Sequence, residues 1–145
     1  MSVQQQERNK KLIMQGFQRW ANGTGSFFDL LADDAVWTIT GTCPISKTYT
    51  SRKQFLDEAI APLLARLSTR IVPKVRSLFA DGDTVIALWD GTAVAKDGRD
   101  YNNTYSWYMK IENDRIVNGL HSLTPSNSQT SGNALLFDDP LSAFK

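Results

Sequence analysis

Small and apolar residues at Leu12, Ile13, Gly16, Phe17 and Trp20 recur at spacings of three and four, the signature of a helix with one buried face. The spacing predicts an amphipathic helix over residues 5–22, stopped by Asn22-Gly23-Thr24-Gly25. A short helical turn carrying Phe27, Phe28 and Leu31 follows. Residues 35–40 then alternate as a strand, with Ala35, Trp37 and Ile39 on one face and Val36, Thr38 and Thr40 on the other. Residues 41–48 have loop composition, and Tyr49 sits on a strand stub. Ser51 with Gln54 three residues later forms a capping box that opens a second long helix. Phe55, Ala59, Ile60, Leu63 and Leu67 supply its buried stripe. Pro62 lacks a backbone donor and is expected to kink or restart it.

From Arg70 the period changes to two, and long strands are separated by turn signals. Asp81-Gly82 and Asp97-Gly98 are strong two-residue hairpin signals, and Asn113-Asp114 is a weaker one. After Pro125 the composition becomes linker-like, and an apolar cluster at residues 134–144 closes the sequence. The expected organisation is one α+β domain over residues 1–125 and a C-terminal tail over 126–145, the tail serving as a lid or an arm onto a neighbour. Its fold would be a cone-shaped, curved antiparallel sheet wrapped around helices.

Turns set register, and register decides which side chains share a face. A two-residue turn at Asp97-Gly98 pairs Thr92 with Asn103, Asp90 with Tyr105, Leu88 with Trp107 and Ile86 with Met109. A turn at Asp81-Gly82 adds Ile71, Pro73, Val75, Ser77 and Phe79 to that side, and one at Asn113-Asp114 adds Ile116, Asn118, Leu120, Ser122 and Thr124. The expected inner face is apolar and aromatic, with a few polar groups converging at one end, the usual form of a small-molecule site. Asp90 is its single strand-borne acid. Desolvation there would raise its pKa toward the range useful for general acid or base work.

Two other readings of Asp90 stay open: a bulge at Asp90-Gly91 would aim it outward, and a hydrogen bond from Tyr105 would make it a satisfied core group. By the same register His121 lies outside with Trp89, Ala87, Tyr108 and Val117. That face is too apolar for water and reads as a subunit interface. A three-residue turn at Asn113-Asp114 would reverse the placement of His121.

Composition narrows the function classes. The 145 residues hold 16 basic and 15 acidic side chains, a net charge of +1 that gives no footprint for nucleic acid or an anionic membrane. Cys43 and His121 are the single cysteine and histidine, which excludes an internal disulfide and a Cys/His zinc site. No phosphate loop or dinucleotide fingerprint appears, so no metal or organic cofactor is expected. The polar N-terminus lacks a signal-like apolar segment and no apolar run spans a bilayer, so a cytoplasmic location is expected.

The order of elements resembles the nuclear transport factor 2-like superfamily, within it the SnoaL-like or ketosteroid-isomerase-like bacterial proteins. The resemblance runs from Gln5 to Thr124. It is carried by Ala35-Val36-Trp37, by the run from Gly98 through Arg99-Asp100-Tyr101-Asn102-Asn103-Thr104-Tyr105-Ser106 to Trp107, and by Asp114-Arg115-Ile116-Val117. It implies a pocket between sheet and helices and a dimer through the outer sheet face; the activity is left open, because the fold hosts isomerases, cyclases, epoxide-opening enzymes and plain binders. Steroid isomerases of this type carry an Asp base near the first strand, whereas residues 36–41 hold no carboxylate. Epoxide-opening relatives use an Asp–Arg–Asp cluster, and no Arg falls on the expected inner face. Cyclase-like relatives carry an acid where this chain has Thr124.

The expectation is a small-molecule-binding protein performing acid–base chemistry on an apolar oxygenated substrate. Asp90 would transfer the proton, and Tyr105 and Asn103 would polarise a substrate oxygen. Trp37, Trp107, Leu88 and Val75 would hold the carbon skeleton, Trp20, Phe55 and Tyr49 would close the mouth, and Ser122 and Thr124 would line the polar end. The alternative is a non-catalytic ligand carrier or homodimeric scaffold.

Overall fold

A computed structural model describes residues 2–125; the expected tail lies outside the described residues. Helix α1 (Val3–Asn22) starts where the Ser2 hydroxyl accepts from the Gln5 amide. It ends where Gly23 takes up a φ of 73°, which lets its own N–H and that of Thr24 reach the carbonyls of Trp20 and Arg19. A 3-10 turn (Phe27–Leu30) leads into β1 (Leu31–Ile39), and Leu31 is already strand. The stub β2 (Thr48–Tyr49) pairs antiparallel with β1.

Ser51 caps α2 (Arg52–Phe55), its hydroxyl accepting from the Gln54 amide. The helical path continues through a π-helical turn (Leu56–Ile60) into α3 (Ala61–Leu64). Pro62 stands in the first turn of α3, where a missing N–H costs little, so the chain absorbs the proline by widening one turn before it. Strands β3 (Val72–Asp81), β4 (Thr84–Val94), β5 (Asp100–Glu112) and β6 (Arg115–Pro125) form a long meander. The sheet order is β2-β1-β6-β5-β4-β3. It is mixed rather than wholly antiparallel, because β1 runs parallel to β6.

Two of the three hairpin turns depart from the simplest reading, and a bulge shifts the register beyond the third. Between β4 and β5 the loop has three residues, Lys96, Asp97 and Gly98: the Ala95 amide donates to Arg99 O at 2.8 Å and Gly98 adopts a φ of 90°. That one extra residue pairs Trp89 with Tyr105 and Gly91 with Asn103. The whole of β4 is thereby turned over relative to expectation. Between β3 and β4 the turn is Gly82-Asp83, and a bulge at Arg76 then restores Ile71, Pro73 and Val75 to the inner side. Between β5 and β6, Asn113-Asp114 is a two-residue turn with both φ values positive, 53° and 62°. A bulge at Val117 shifts the register beyond it, so His121 faces Trp107.

The inner face of β4 is consequently Val85, Ala87, Trp89, Gly91 and Ala93, and that of β6 includes Gly119, His121 and Leu123. Leu88, Asp90, Thr92, Leu120, Ser122 and Thr124 stand on the outer face, which corrects the expected inner set. The core between sheet and helices is dominated by Phe17, Phe27, Phe55, Trp37, Trp89 and Trp107, each at most 2% exposed. Among the described residues no helix is long and apolar enough to cross a membrane.

Candidate functional site

A cavity of about 460 Å³ opens between the sheet and the helices. Trp20 of α1 and Phe27 and Phe28 of the 3-10 turn form one wall, and Leu56, Ile60 and Leu63 of the π-turn and α3 form a second. Ile71, Trp89, Tyr105, Trp107 and His121 form the sheet side. Gly23, Gly25, Ser26, Leu64 and Arg70 are the exposed lining residues and mark the open side. Arg70 is the charged residue of this lining. Its guanidinium donates to Trp20 O at 2.8 Å and Ala21 O at 2.9 Å, tying the mouth to the carbonyl end of α1.

The aromatic wall is a connected stack. Trp89 lies flat on Tyr105, with centroids 4.2 Å apart, and meets Trp107 edge-on at 4.7 Å. Trp20 meets Trp89 edge-on at 5.1 Å. The indole nitrogens of Trp89 and Trp107 are buried without a hydrogen-bond partner among the described residues. Such rings fix the shape of the cavity through area and quadrupole contacts.

His121 is the polar centre of the sheet side, 7% exposed. Trp37 Nε1 donates to His121 Nδ1 at 3.3 Å. Burial disfavours the imidazolium and pushes the His121 pKa down from 6.5 to about 3, so the ring is neutral at physiological pH. Trp37 reaches it across the backbone of Gly119. A Cβ at that position would stand 2.2 Å from Trp37 Cε3, so only glycine lets the indole lie there. Tyr105 adds a hydroxyl that accepts from Asn103 Nδ2 at 3.2 Å and is hydrogen-bonded to Tyr101. Burial pushes the Tyr105 phenol up, against the hydrogen bonds from Asn103 and Tyr101 that favour the phenolate.

Of the residues expected at the site, Trp20, Tyr105 and Trp107 line the cavity. Asn103 faces inward and orients Tyr105 without being part of the lining. Trp37 and Phe55 stack on each other behind the wall, with centroids 5.2 Å apart. Tyr49 packs on Phe55, its hydroxyl donating to Ile45 O at 2.6 Å, and burial pushes its pKa up to about 12. These three serve the core rather than the mouth. Val75 faces inward, half-buried, away from the lining.

Leu88, Asp90, Ser122 and Thr124 lie on the opposite face. The Asp90 carboxylate accepts from Arg76 Nε at 2.9 and 3.0 Å and from Thr104 Oγ1 at 2.7 Å. Partial desolvation pushes its pKa up. Those hydrogen bonds, with the charges of Arg76 and Lys74, outweigh it and hold the group below the ordinary carboxylate range. This is the reverse of the expected shift, on a side chain that stands on the face away from the cavity.

The cavity lining holds no carboxylate among the described residues. Among the described residues, no three His, Cys, Asp or Glu side chains gather in a way that would hold a metal. The wall can therefore offer apolar area and neutral hydrogen-bond donors. His121 and Trp89 are the members that the sequence reading placed outside. The signal for Trp89 lay in the alternation of β4, where the other parity buries no acid, and that for His121 in β6, where the other parity sends Asn118, Ser122 and Thr124 outward.

Comparison with known proteins agrees with this architecture. Residues 15–119 match the family model of the SnoaL-like domain. No curated protein matches the sequence. Among solved structures, an NTF2-like protein from Burkholderia thailandensis is 15% identical with a TM-score of 0.70, covering 88% of this chain and 96% of its own. A protein with a ketosteroid isomerase-like fold from Catenulispora acidiphila, in complex with trimethylamine, is 16% identical with a TM-score of 0.64, covering 83% and 92%. TerC, co-crystallised with polyporic acid, is 12% identical with a TM-score of 0.65, covering 78% and 88%. At such identities the likeness is one of fold.

Proposed function

The chain belongs to the SnoaL-like domain family, and from that premise and its cavity we propose that it binds a small, apolar, oxygen-bearing molecule between sheet and helices. The observation that carries the proposal is a cavity of about 460 Å³ walled by aromatic and aliphatic side chains around one buried histidine. That volume falls within the ~300–1,000 Å³ of small-molecule sites. The co-crystal of the fold neighbour TerC with polyporic acid supports the same ligand class.

The geometry favours binding over proton abstraction. The described lining offers no carboxylate, and a histidine whose pKa sits near about 3 is a feeble base at neutral pH. The non-catalytic reading is therefore preferred to isomerase, cyclase or lyase chemistry. NMR titration of the full-length ¹⁵N-labelled protein with α-tetralone tests it. Saturable shifts at Trp89, Trp107 and Ile60 are expected, and they should vanish when Ile60→Trp fills the cavity. Shifts scattered over the surface, or equal in the filled variant, would refute it.

We also infer a homodimer through the outer sheet face. Phe79, Ile86, Tyr108 and Leu120 are directly opposite one another across four strands, with Phe79 54%, Tyr108 48% and Leu120 42% exposed. An apolar row of this kind is characteristic of an interaction surface. Sedimentation velocity should show a dimer that Tyr108→Glu converts to a monomer; a monomeric wild type removes the inference.

A further inference from the structure

We propose that Trp37, which does not line the cavity, is a positioning residue that locks His121 as a hydrogen-bond donor, so that the cavity selects ligands bearing an uncharged acceptor oxygen such as a ketone, quinone or ester carbonyl. The proposal rests on the cavity-binding reading and deepens it.

The reasoning starts from donor and acceptor inventories. An indole N–H can only donate, whereas a neutral imidazole has one donor and one acceptor nitrogen. Trp37 Nε1 lies 3.3 Å from His121 Nδ1, so Nδ1 must be the acceptor and Nε2 must carry the proton. The alternative tautomer would set two N–H groups against each other in a buried place, losing the bond and leaving both donors unsatisfied.

Nε2 makes no hydrogen bond among the described residues. The unpartnered side-chain polar atoms that are walled off from water are Trp89 Nε1 and Trp107 Nε1, and Nε2 is not one of them. It therefore keeps some accessible surface, and its residue lines the cavity. The groups packed around the ring are neutral: Trp37, Trp107 and Tyr105, with centroids 6.1, 5.5 and 5.3 Å away. The Tyr105 oxygen already accepts from Asn103 and Tyr101. A ligand carbonyl would thus meet a donor whose proton position is fixed before binding, inside a wall that rewards apolar surface. An ammonium would find no carboxylate in the described lining.

Two measurements on the full-length protein test this. Long-range ¹H–¹⁵N correlation spectra of the single histidine should show a pyrrole-like Nε2 and a pyridine-like Nδ1 near pH 7, and Trp37→Phe should shift both toward averaged values. Binding of α-tetralone should exceed that of its carbonyl-free counterpart tetralin by about three- to tenfold, the worth of one neutral hydrogen bond. His121→Phe should erase that preference, and Trp37→Phe should lower it by up to about twofold, because an unlocked ring still carries its proton on Nε2 about half of the time; the histidine variant keeps the test standing if the tryptophan variant fails to fold. A proton found on Nδ1 in the wild type overturns the lock whatever binds. Equal affinity for the two compounds, with the Nε2–H form observed, overturns the selection. Failure of both compounds to bind overturns the cavity-binding reading and the selection with it, while the spectrum still decides the lock.

Discussion

Acidification should destabilise this protein well above the pH at which its carboxylates protonate, and one residue should account for it. His121 is the sole histidine of the chain. Folding lowers its pKa from 6.5 to about 3 because burial penalises the charged ring. Below the unfolded value the unfolded chain takes up a proton that the folded chain refuses, so stability is complete above pH 6.5 and falls as pH falls. The loss proceeds at ~1.36 kcal/mol per pH unit and ends near the folded pKa, where both states are protonated. Two units of acidification, to about pH 4.5, therefore remove about 2.7 kcal/mol.

Asp90, Asp97 and Glu58 are held below their ordinary values, so their contributions are present above that range and fade only at lower pH. Urea unfolding followed by tryptophan fluorescence, at half-unit steps from about pH 7.5 to 4.5, gives the profile for wild type and His121→Gln. With a urea slope of ~1–3 kcal/mol per molar, the wild-type midpoint should fall by roughly 1–3 M more than that of the variant. Parallel profiles would mean that His121 titrates normally in the fold, and would refute both its burial and its neutrality.

Gly119→Ala should cost about 1–3 kcal/mol, because its Cβ would stand 2.2–2.8 Å from the Trp37 indole; a thermal melt unchanged from wild type would contradict that packing. Asp90→Asn should leave tetralone binding untouched and change stability by no more than ~1 kcal/mol, since its partner Arg76 is well exposed; loss of binding would return Asp90 to the site. Arg70→Ala should lower stability by about 0.5–1 kcal/mol by uncapping Trp20 O and Ala21 O, and should speed ligand entry at the open side in stopped-flow fluorescence.

Much of this molecule was legible in its sequence, and the part that was not has a single physical origin. The buried stripe of α1, the Ser51 cap and the four long strands all follow from local periodicity and end chemistry, where neighbours in sequence decide the outcome. The face assignments required counting residues through turns and bulges. Gly98 signals a hairpin equally well as part of a two-residue or a three-residue loop, and the bulges at Arg76 and Val117 have no mark in composition. Each miscount by one exchanges the two faces. Burial energetics offered the means to choose. Placing Asp90 inside carries a desolvation cost, whereas the opposite parity buries Val85, Ala87, Trp89 and Ala93 without one. On β6 the same test sends Asn118, Ser122 and Thr124 outward and brings His121 in. Trp20, Tyr105 and Trp107 were found because β5 and α1 carry no irregularity that moves them.

The parallel pairing of β1 with β6 has a consequence for how the protein comes into being. Every other strand pair joins near neighbours in the chain, but the first long strand waits for the last, and Trp37 and His121 are 84 residues apart. During synthesis, α1, the 3-10 turn and β1 leave the ribosome with their edge unpaired, and the β3–β6 meander can form hairpin by hairpin before the sheet closes. Closure over so long a loop is entropically expensive and is expected to come late and slowly. The hydrogen bond that orients the cavity's histidine is thus made at that final step. A chain halted before it would already hold most of its secondary structure and yet have no defined donor to offer a ligand.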